Sequence, residues 1–331
     1  MIPLSVLDLV PIREGGNPAT ALSDALAETG RLAAAAERLG YQRFWVAEHH
    51  ATTGIAGGAT SVVLAHVGHC TSTIRIGAGG IMLPNHNPFV IAEQFGTLDG
   101  LFPGRIDLGL GRAPGAAGIV AQALRKDLHR ASEYFPQDVV ELRALFTGDI
   151  DLPITATPGF GAQVQMWMLG SSLFGAQLAA RLGLPYAFAS HFAPDHLDAA
   201  LATYRTHFQP SAALDRPHAM AAMTVIAAET DTEAELIASS QDQSFVRLRS
   251  GDPGRLPPPI KDYREDLPDM ARAMLDRMNV ARAVGSPATV ADKMNRFIQR
   301  TGADELILSG ATYDPAARIH SLELVMEALA R

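Results

Sequence analysis

Short apolar segments recur along the chain, each separated from the next by a stretch of helical periodicity, and this alternation most limits the fold. The segments are Leu4–Asp8, Arg43–His49, Ile74–Leu83, Arg105–Gly111, Gln165–Gly170, Pro185–Ser190, Ala219–Ala228 and Glu305–Ser309. Each is apolar on both faces, as a parallel strand is when helices cover one side and a core the other. After the first, Leu22, Leu26, Ala33 and Ala36 share one helix face; after the last, Ile319, Leu322, Met326 and Leu329 do the same. Gly40, Gly183 and Gly302 stand where helices should end, just before strands two, six and eight.

Eight strands alternating with helices predict an α/β fold, a (β/α)8 TIM barrel. Such a barrel takes about 250 residues, so roughly 80 of this chain belong to insertions. Residues 1–331 are therefore read as a single barrel, with the largest insertion after strand seven, over 231–284. There the text turns irregular, through Gly251-Asp252-Pro253-Gly254, Pro257-Pro258-Pro259 and the mixed charges of Lys261–Asp269. An insertion at that point lies over the catalytic end of a barrel and is expected to be a lid, with plain surface decoration as the alternative. A second irregular patch spans Thr147–Val164. The rival, an open dinucleotide-binding sheet, is disfavoured because no Gly-x-Gly-x-x-Gly occurs. The nearest text, Gly109-Leu110-Gly111-Arg112-Ala113-Pro114, has arginine and proline where a helix should start.

Composition removes other classes. With 47% apolar and 19% charged residues the chain can bury a large core. A net charge of −8 repels phosphate backbones and anionic membrane surfaces, so neither nucleic acid nor membrane is the expected partner. The lone Cys70 excludes a disulfide framework and a cysteine metal cluster. No apolar run reaches the ~18 residues of a membrane span, and the start at Met1-Ile2-Pro3-Leu4 has no basic leader, so a cytoplasmic protein is expected.

In a barrel the chemistry comes from the C-terminal ends of strands. Gly170-Ser171-Ser172 precedes a helix over Leu173–Leu182. One serine is explained by capping, yet free amides, a glycine and two hydroxyls also make an anion site. Arg112, at the end of the neighbouring strand, can supply the cation; its alternative is a salt bridge in the barrel mouth. Gly79-Gly80 inside an apolar strand marks either a bulge or a place where a flat ligand lies on bare backbone. A planar ring with a phosphate tail suits both features and suggests flavin mononucleotide. His49 and His50 are consecutive and point to opposite sides, so they cannot share one ligand. His66 and His69, at i and i+3 on a helix, read as buried or packed histidines. No metal site and no serine-hydrolase motif is expected.

Trp45–His50, the block Ile74–Gly115 and Leu169–Phe192 together resemble the bacterial luciferase-like flavin-dependent monooxygenases, and the likeness runs to Ser321. The resemblance implies a (β/α)8 barrel that uses reduced FMN, delivered by a separate flavin reductase, with molecular oxygen. Oxidation of a small organic substrate would then pass through a flavin hydroperoxide. It implies that His49 is the catalytic histidine beside the flavin. Ala78, Gly79 and Gly80 match the segment against the isoalloxazine, where the family often holds a non-proline cis peptide. Arg112 and Ser171 match the phosphate ligands, with Gly170 and Ser172 beside them. The family is commonly dimeric, and helices near Val62–Val67 and Phe89–Phe95 can supply such an interface. Two departures stand out. Gly111 takes the place of the light-emitting enzymes' reactive cysteine, and their second phosphate arginine has only Arg130 as a candidate. Light emission and a long-chain aldehyde substrate are therefore not expected. Two rival functions stay open: a deazaflavin (F420)-dependent oxidoreductase on the same barrel, and a flavin-binding protein without turnover.

Overall fold

The computed structural model describes residues 2–112, 122–124, 127–149 and 155–330. Three residues of the long motif block, 113–115, and residues 150–154 of the second irregular patch lie outside them. In chain order the elements are β1 (Leu4–Asp8), α1 (Ala21–Arg38), β2 (Arg43–Val46), α2 (Thr60–Cys70), β3 (Arg75–Met82), α3 (Pro88–Leu101), β4 (Ile106–Gly111) and α4 (Leu128–Thr147). There follow β5 (Gln165–Gly170), α5 (Leu173–Leu182), β6 (Tyr186–Phe188), α6 (Leu197–His207), β7 (Ala219–Ala227) and α7 (Asp231–Arg249). The last are α8 (Asp269–Met278), β8 (Arg282–Gly285), α9 (Pro287–Thr301), β9 (Glu305–Ser309) and α10 (Pro315–Ala330).

Strands β1 to β6 pair with their neighbours in order, β6 pairs with β7, β7 with β9, and β9 with β1, all parallel. The ring is closed, and the (β/α)8 TIM barrel expected from the alternation is present. All eight expected strands are found; β2 and β6 stop earlier, at Val46 and Phe188. The ninth strand, β8, falls inside the expected insertion. Thr224 pairs with Ser309 of β9 on one edge and with Arg282 of β8 on the other. β8 thus takes the upper edge of β7 that the short β6 leaves free. Arg282 is tolerated there, although buried, because Glu235 and Asp242 face it at 2.7 and 3.6 Å.

Inward side chains follow the two-residue period of the strands and stack in tiers. The lowest tier is ionic: Arg43 bonds Asp107 at 2.8 Å and Glu305 at 3.0 Å, and Arg75 bonds Asp107 at 2.6 Å. Above it Trp45 and Trp167 meet edge to face at 5.3 Å, and Leu7, Met220 and Ile307 fill the space around them. Two residues further, β2 and β7 turn small at Ala47 and Ala222, while β1 and β5 carry Leu9 and Leu169; Ala187 of β6 and Gly109 of β4, beside Leu169, are small as well.

The insertion is fastened across the C-terminal end of the barrel. Val10 holds a left-handed φ of 55°, uncommon for a β-branched residue, and turns the chain after β1 toward its neighbours. Pro11 then bridges Ile55, and Ile12 and Glu14 pair with buried Leu256 of the insertion. On the other side Arg249, at the end of α7, stacks on Phe192 and donates to its carbonyl oxygen at 3.0 Å. Loops after β1 and β6 are both tied to the segment after β7.

Candidate active site

The site builds from the C-terminal ends of the strands. At the end of β5, Ser172 stands at the N-cap of α5 in extended conformation without a side-chain capping bond. Capping therefore does not account for the hydroxyl pair, and both serines are exposed. Phe174, in the first turn of α5, carries the guanidinium of Arg112 at 4.3 Å from its ring centroid. Arg112 is thus set beside the first turn of the helix that follows Gly170-Ser171-Ser172. Arg130 lies on the first turn of α4, exposed, and 5.8 Å over Tyr134.

The Gly79–Gly80 peptide is cis. The β3–β4 register also shifts between Ala78 and Ile81, so the bulge reading holds as well. A Cβ on Gly79 would come within 2.9 Å of Leu7 and Trp45, and one on Gly80 within 2.7 Å of the Gly109 carbonyl oxygen. Packing inside the barrel already requires both glycines, beyond any demand from a ligand.

His49 and His50 do separate, as consecutive residues should. His50 turns to Glu48, whose Oε1 also meets His86 Nε2; the distances are 2.6 and 2.8 Å. Glu48 Oε2 accepts from the Met82 amide at 3.0 Å. Burial pushes this carboxyl up, but the bonds from His86, Met82 and His50 outweigh it and hold it below the usual carboxylate range. The donor atoms of Glu48, His50 and His86 lie within 4.8 Å of one another, a spacing a divalent metal could use. One carboxylate oxygen serving both rings is equally the arrangement of a hydrogen-bonded knot. It ties the end of β2 to the segment after β3 and so fixes the backbone that carries His49.

His49 keeps a buried Nδ1 without a partner, although its ring also bonds the Ala47 backbone; burial lowers its pKa, and Glu48 and that bond oppose the shift. His191, just after β6, has the same features: an unpartnered buried Nδ1, and a pKa pushed down to about 4 by burial and by His49. The sequence reading did not single out His191. Its signal was a histidine directly beyond a strand end. At the rim, Thr224 and Ser309 lie 3.4 Å apart, and Gln241 of α7 donates to Thr224 and accepts from the Ala311 amide.

The chain belongs to the luciferase-like monooxygenase family. The family described as "Luciferase-like monooxygenase" matches residues 4–305. A protein of that name from Escherichia coli K12 is 46% identical over 98% of this chain and 96% of its own length. The N-acetyl-S-alkylcysteine monooxygenase of Bacillus subtilis is 35% identical over 76% of this chain and 75% of that protein. Among solved structures, apo-MsnO8 is similar at 36% identity and a TM-score of 0.87, covering 100% of this chain and 99% of that one.

Of the buried-or-packed expectation for His66 and His69, the structure shows packing without burial. His66 lies 3.1 Å from the Leu26 carbonyl of α1, and His69 meets Phe102 edge to face at 5.2 Å, while both keep open surface. A separate cavity of about 440 Å³ lies outside the barrel, by Arg264, Arg282 and Lys293. Of the four arginines that line it, Arg264 is bonded to Asp242 and Arg282 to Glu235, and Arg296 and Arg300 lie near Asp292 and Asp198. Among the described residues no helix is long and apolar enough to cross a membrane.

Proposed function

We propose that this protein is a monooxygenase that takes reduced FMN, supplied by a separate reductase, and molecular oxygen to oxidise a small organic substrate. The reading is carried by one convergence. A cation and two uncommitted hydroxyls at a helix N-terminus lie at the C-terminal ends of the barrel strands, as does a histidine with one unpartnered ring nitrogen. The residues present fit the cofactor's shape and charge. Arg112, Ser171 and Ser172, beside Gly170, would hold its phosphate; Ala78, Gly79 and Gly80 would lie along its ring.

When bound, reduced flavin supplies the electrons for oxygen activation. The chain's own part is to position, dry and protonate. Arg112 and the α5 amides place the anionic end, and the small side chains of Ala47, Ala187 and Ala222 leave depth for a ring. Neutral His49 can take or give one proton at Nδ1. The 231–284 insertion, tied to loops on two sides of the mouth, acts as the lid that excludes water. A homodimer through α2 and α3 suits their exposed Val62 and Val90.

Anaerobic titration with reduced FMN, followed by admission of air, tests the reading. Saturable binding followed by oxygen uptake is expected. Absence of binding, or equal turnover of reduced F420 without oxygen uptake, would overturn it.

A further inference from the structure

Behind β7, on the outside of the barrel, an acidic chain gathers cations around one space. Met223 alternates along β7 with the inward Ala222, so the cavity of about 440 Å³ that it lines lies on the helix side of the strand. Glu235 and Arg264 of the insertion form one wall; β8 and α9 form the other. Acids outnumber bases 35 to 27 in the whole chain, yet five cations and a single carboxylate, Glu235, line this space. Its volume falls in the range of small-molecule sites, about 300–1,000 Å³. Three of the cations, Lys293, Arg296 and Arg300, stand at i, i+3 and i+7 along one flank of α9.

The cations differ in how firmly they are held. Arg264 is clamped on Asp242 at 2.7 and 3.1 Å, and Arg282 on Glu235 at 3.0 and 2.7 Å, so these two form a fixed side. The α9 row is loosely engaged. Arg296 meets Asp292 of its own helix at 3.0 Å, and Arg300 comes no closer than 3.8 Å to Asp198. Both acids are more than half exposed, and water-screened pairs of this kind yield readily to a multiply charged anion. Lys293 forms no ion pair among the described residues. It donates to the Val284 carbonyl oxygen at 2.8 Å, which leaves two of its three protons for a ligand. We propose that this cavity is a second ligand site, which takes a small molecule carrying a chain of two or three phosphates. Seven residues of helix rise about 10 Å, so a single phosphate cannot meet both ends of the row, whereas a di- or triphosphate can. Guanidinium forks match phosphate oxygens, and Met223, Val280 and Phe297 offer an apolar face to the organic part. The site goes beyond the oxygenase reading and does not depend on it.

Isothermal titration calorimetry of the full chain with inorganic pyrophosphate, tripolyphosphate and orthophosphate, at constant ionic strength, tests the site. Saturable binding of the first two is expected, roughly tenfold tighter than that of orthophosphate. No saturable binding, or orthophosphate held as tightly, overturns the proposal. The double variant Arg296→Gln/Arg300→Gln removes two exposed cations and leaves the fixed side intact; Lys293→Met is the second variant, and melting curves show that each is folded. Pyrophosphate affinity should fall roughly tenfold in both. Unchanged affinity in both folded variants overturns the proposal. Arg112→Met serves as the counter-test, because the barrel's own phosphate position could also take the probe. Pyrophosphate affinity should stay within about twofold there, and a larger loss than in the α9 variants overturns the assignment to the outer cavity. FMN binding is read separately in the same proteins, so a failure of the oxygenase reading leaves this result standing.

Discussion

Replacing Arg112 by methionine separates the anion-binding role of this residue from its packing. The guanidinium lies 4.3 Å over the Phe174 ring, so alanine would remove charge and contact together. Methionine keeps a flexible apolar side chain against the ring and removes only the charge and its donors. A charge-assisted hydrogen bond contributes about 1.5–3 kcal/mol. At about 1.4 kcal/mol per decade, FMN binding should weaken roughly 10- to 150-fold. Riboflavin has the same ring and no phosphate, so its Kd should change by less than about twofold. Anaerobic fluorescence titration of both ligands provides the comparison. Because Arg112 is exposed, the FMN deficit should also shrink as salt is raised. An equal loss for the two ligands, or no loss for FMN, would refute the phosphate assignment.

His49→Ala should keep FMN binding and lose about 10²-fold in product formation, measured by turnover under saturating flavin. Arg43→Met removes the counter-charge that Asp107 and Glu305 share, leaving Arg75 on the first and Ser5 and His218 on the second; urea unfolding should show up to about 3–5 kcal/mol lost, and an unchanged midpoint would contradict the ionic tier. Stability should fall with acid in two windows. His191 stays neutral to about 4 while its unfolded counterpart binds a proton near 6.5, so stability drops between those values. Glu48 and Glu305, held below the usual range, contribute stability above the unfolded carboxyl pKa that is lost as pH falls through their folded values. Urea midpoints at several pH values check both windows, and His191→Gln should flatten the upper one. Leu256→Ala keeps the backbone bonds to Ile12 and Glu14 but removes the buried side chain that anchors the insertion there, so protease should cut within 250–268 about tenfold faster, with the barrel itself still resistant.

The strands were legible because parallel strands buried on both faces leave uninterrupted apolar text, as at Ile74–Leu83. β8 was not, because it follows the charged and proline-rich text of the insertion, and the burial of its Arg282 depends on Glu235 and Asp242 far away in the chain. Arg112 and Ser171 were readable as strand-end residues with suitable chemistry. His191 shared that position, but the burial that leaves its Nδ1 unpartnered is set by packing that no spacing in the chain shows. The Glu48–His50 pairing has a same-face spacing, whereas His86 joins it from 38 positions along the chain. For Gly79 and Gly80 the residue type announced a close approach. The approaching group, Trp45 or a carbonyl oxygen, became visible only in three dimensions.

The ionic base carries a consequence for synthesis on the ribosome. Ser5 bonds Glu305 across 300 positions, and Arg43 reaches the same carboxylate across 262. At about 5–20 residues per second, β1 and Arg43 wait roughly 15 to 60 s for β9 to be made. During that interval β1 has an unpaired edge and Arg43 lacks one of its two counter-charges. The nascent chain is thus an incomplete ring with an open seam, and a factor that shields strand edges would act on it there. Circular permutation that joins β9 ahead of β1 would shorten the wait, with the finished barrel unchanged.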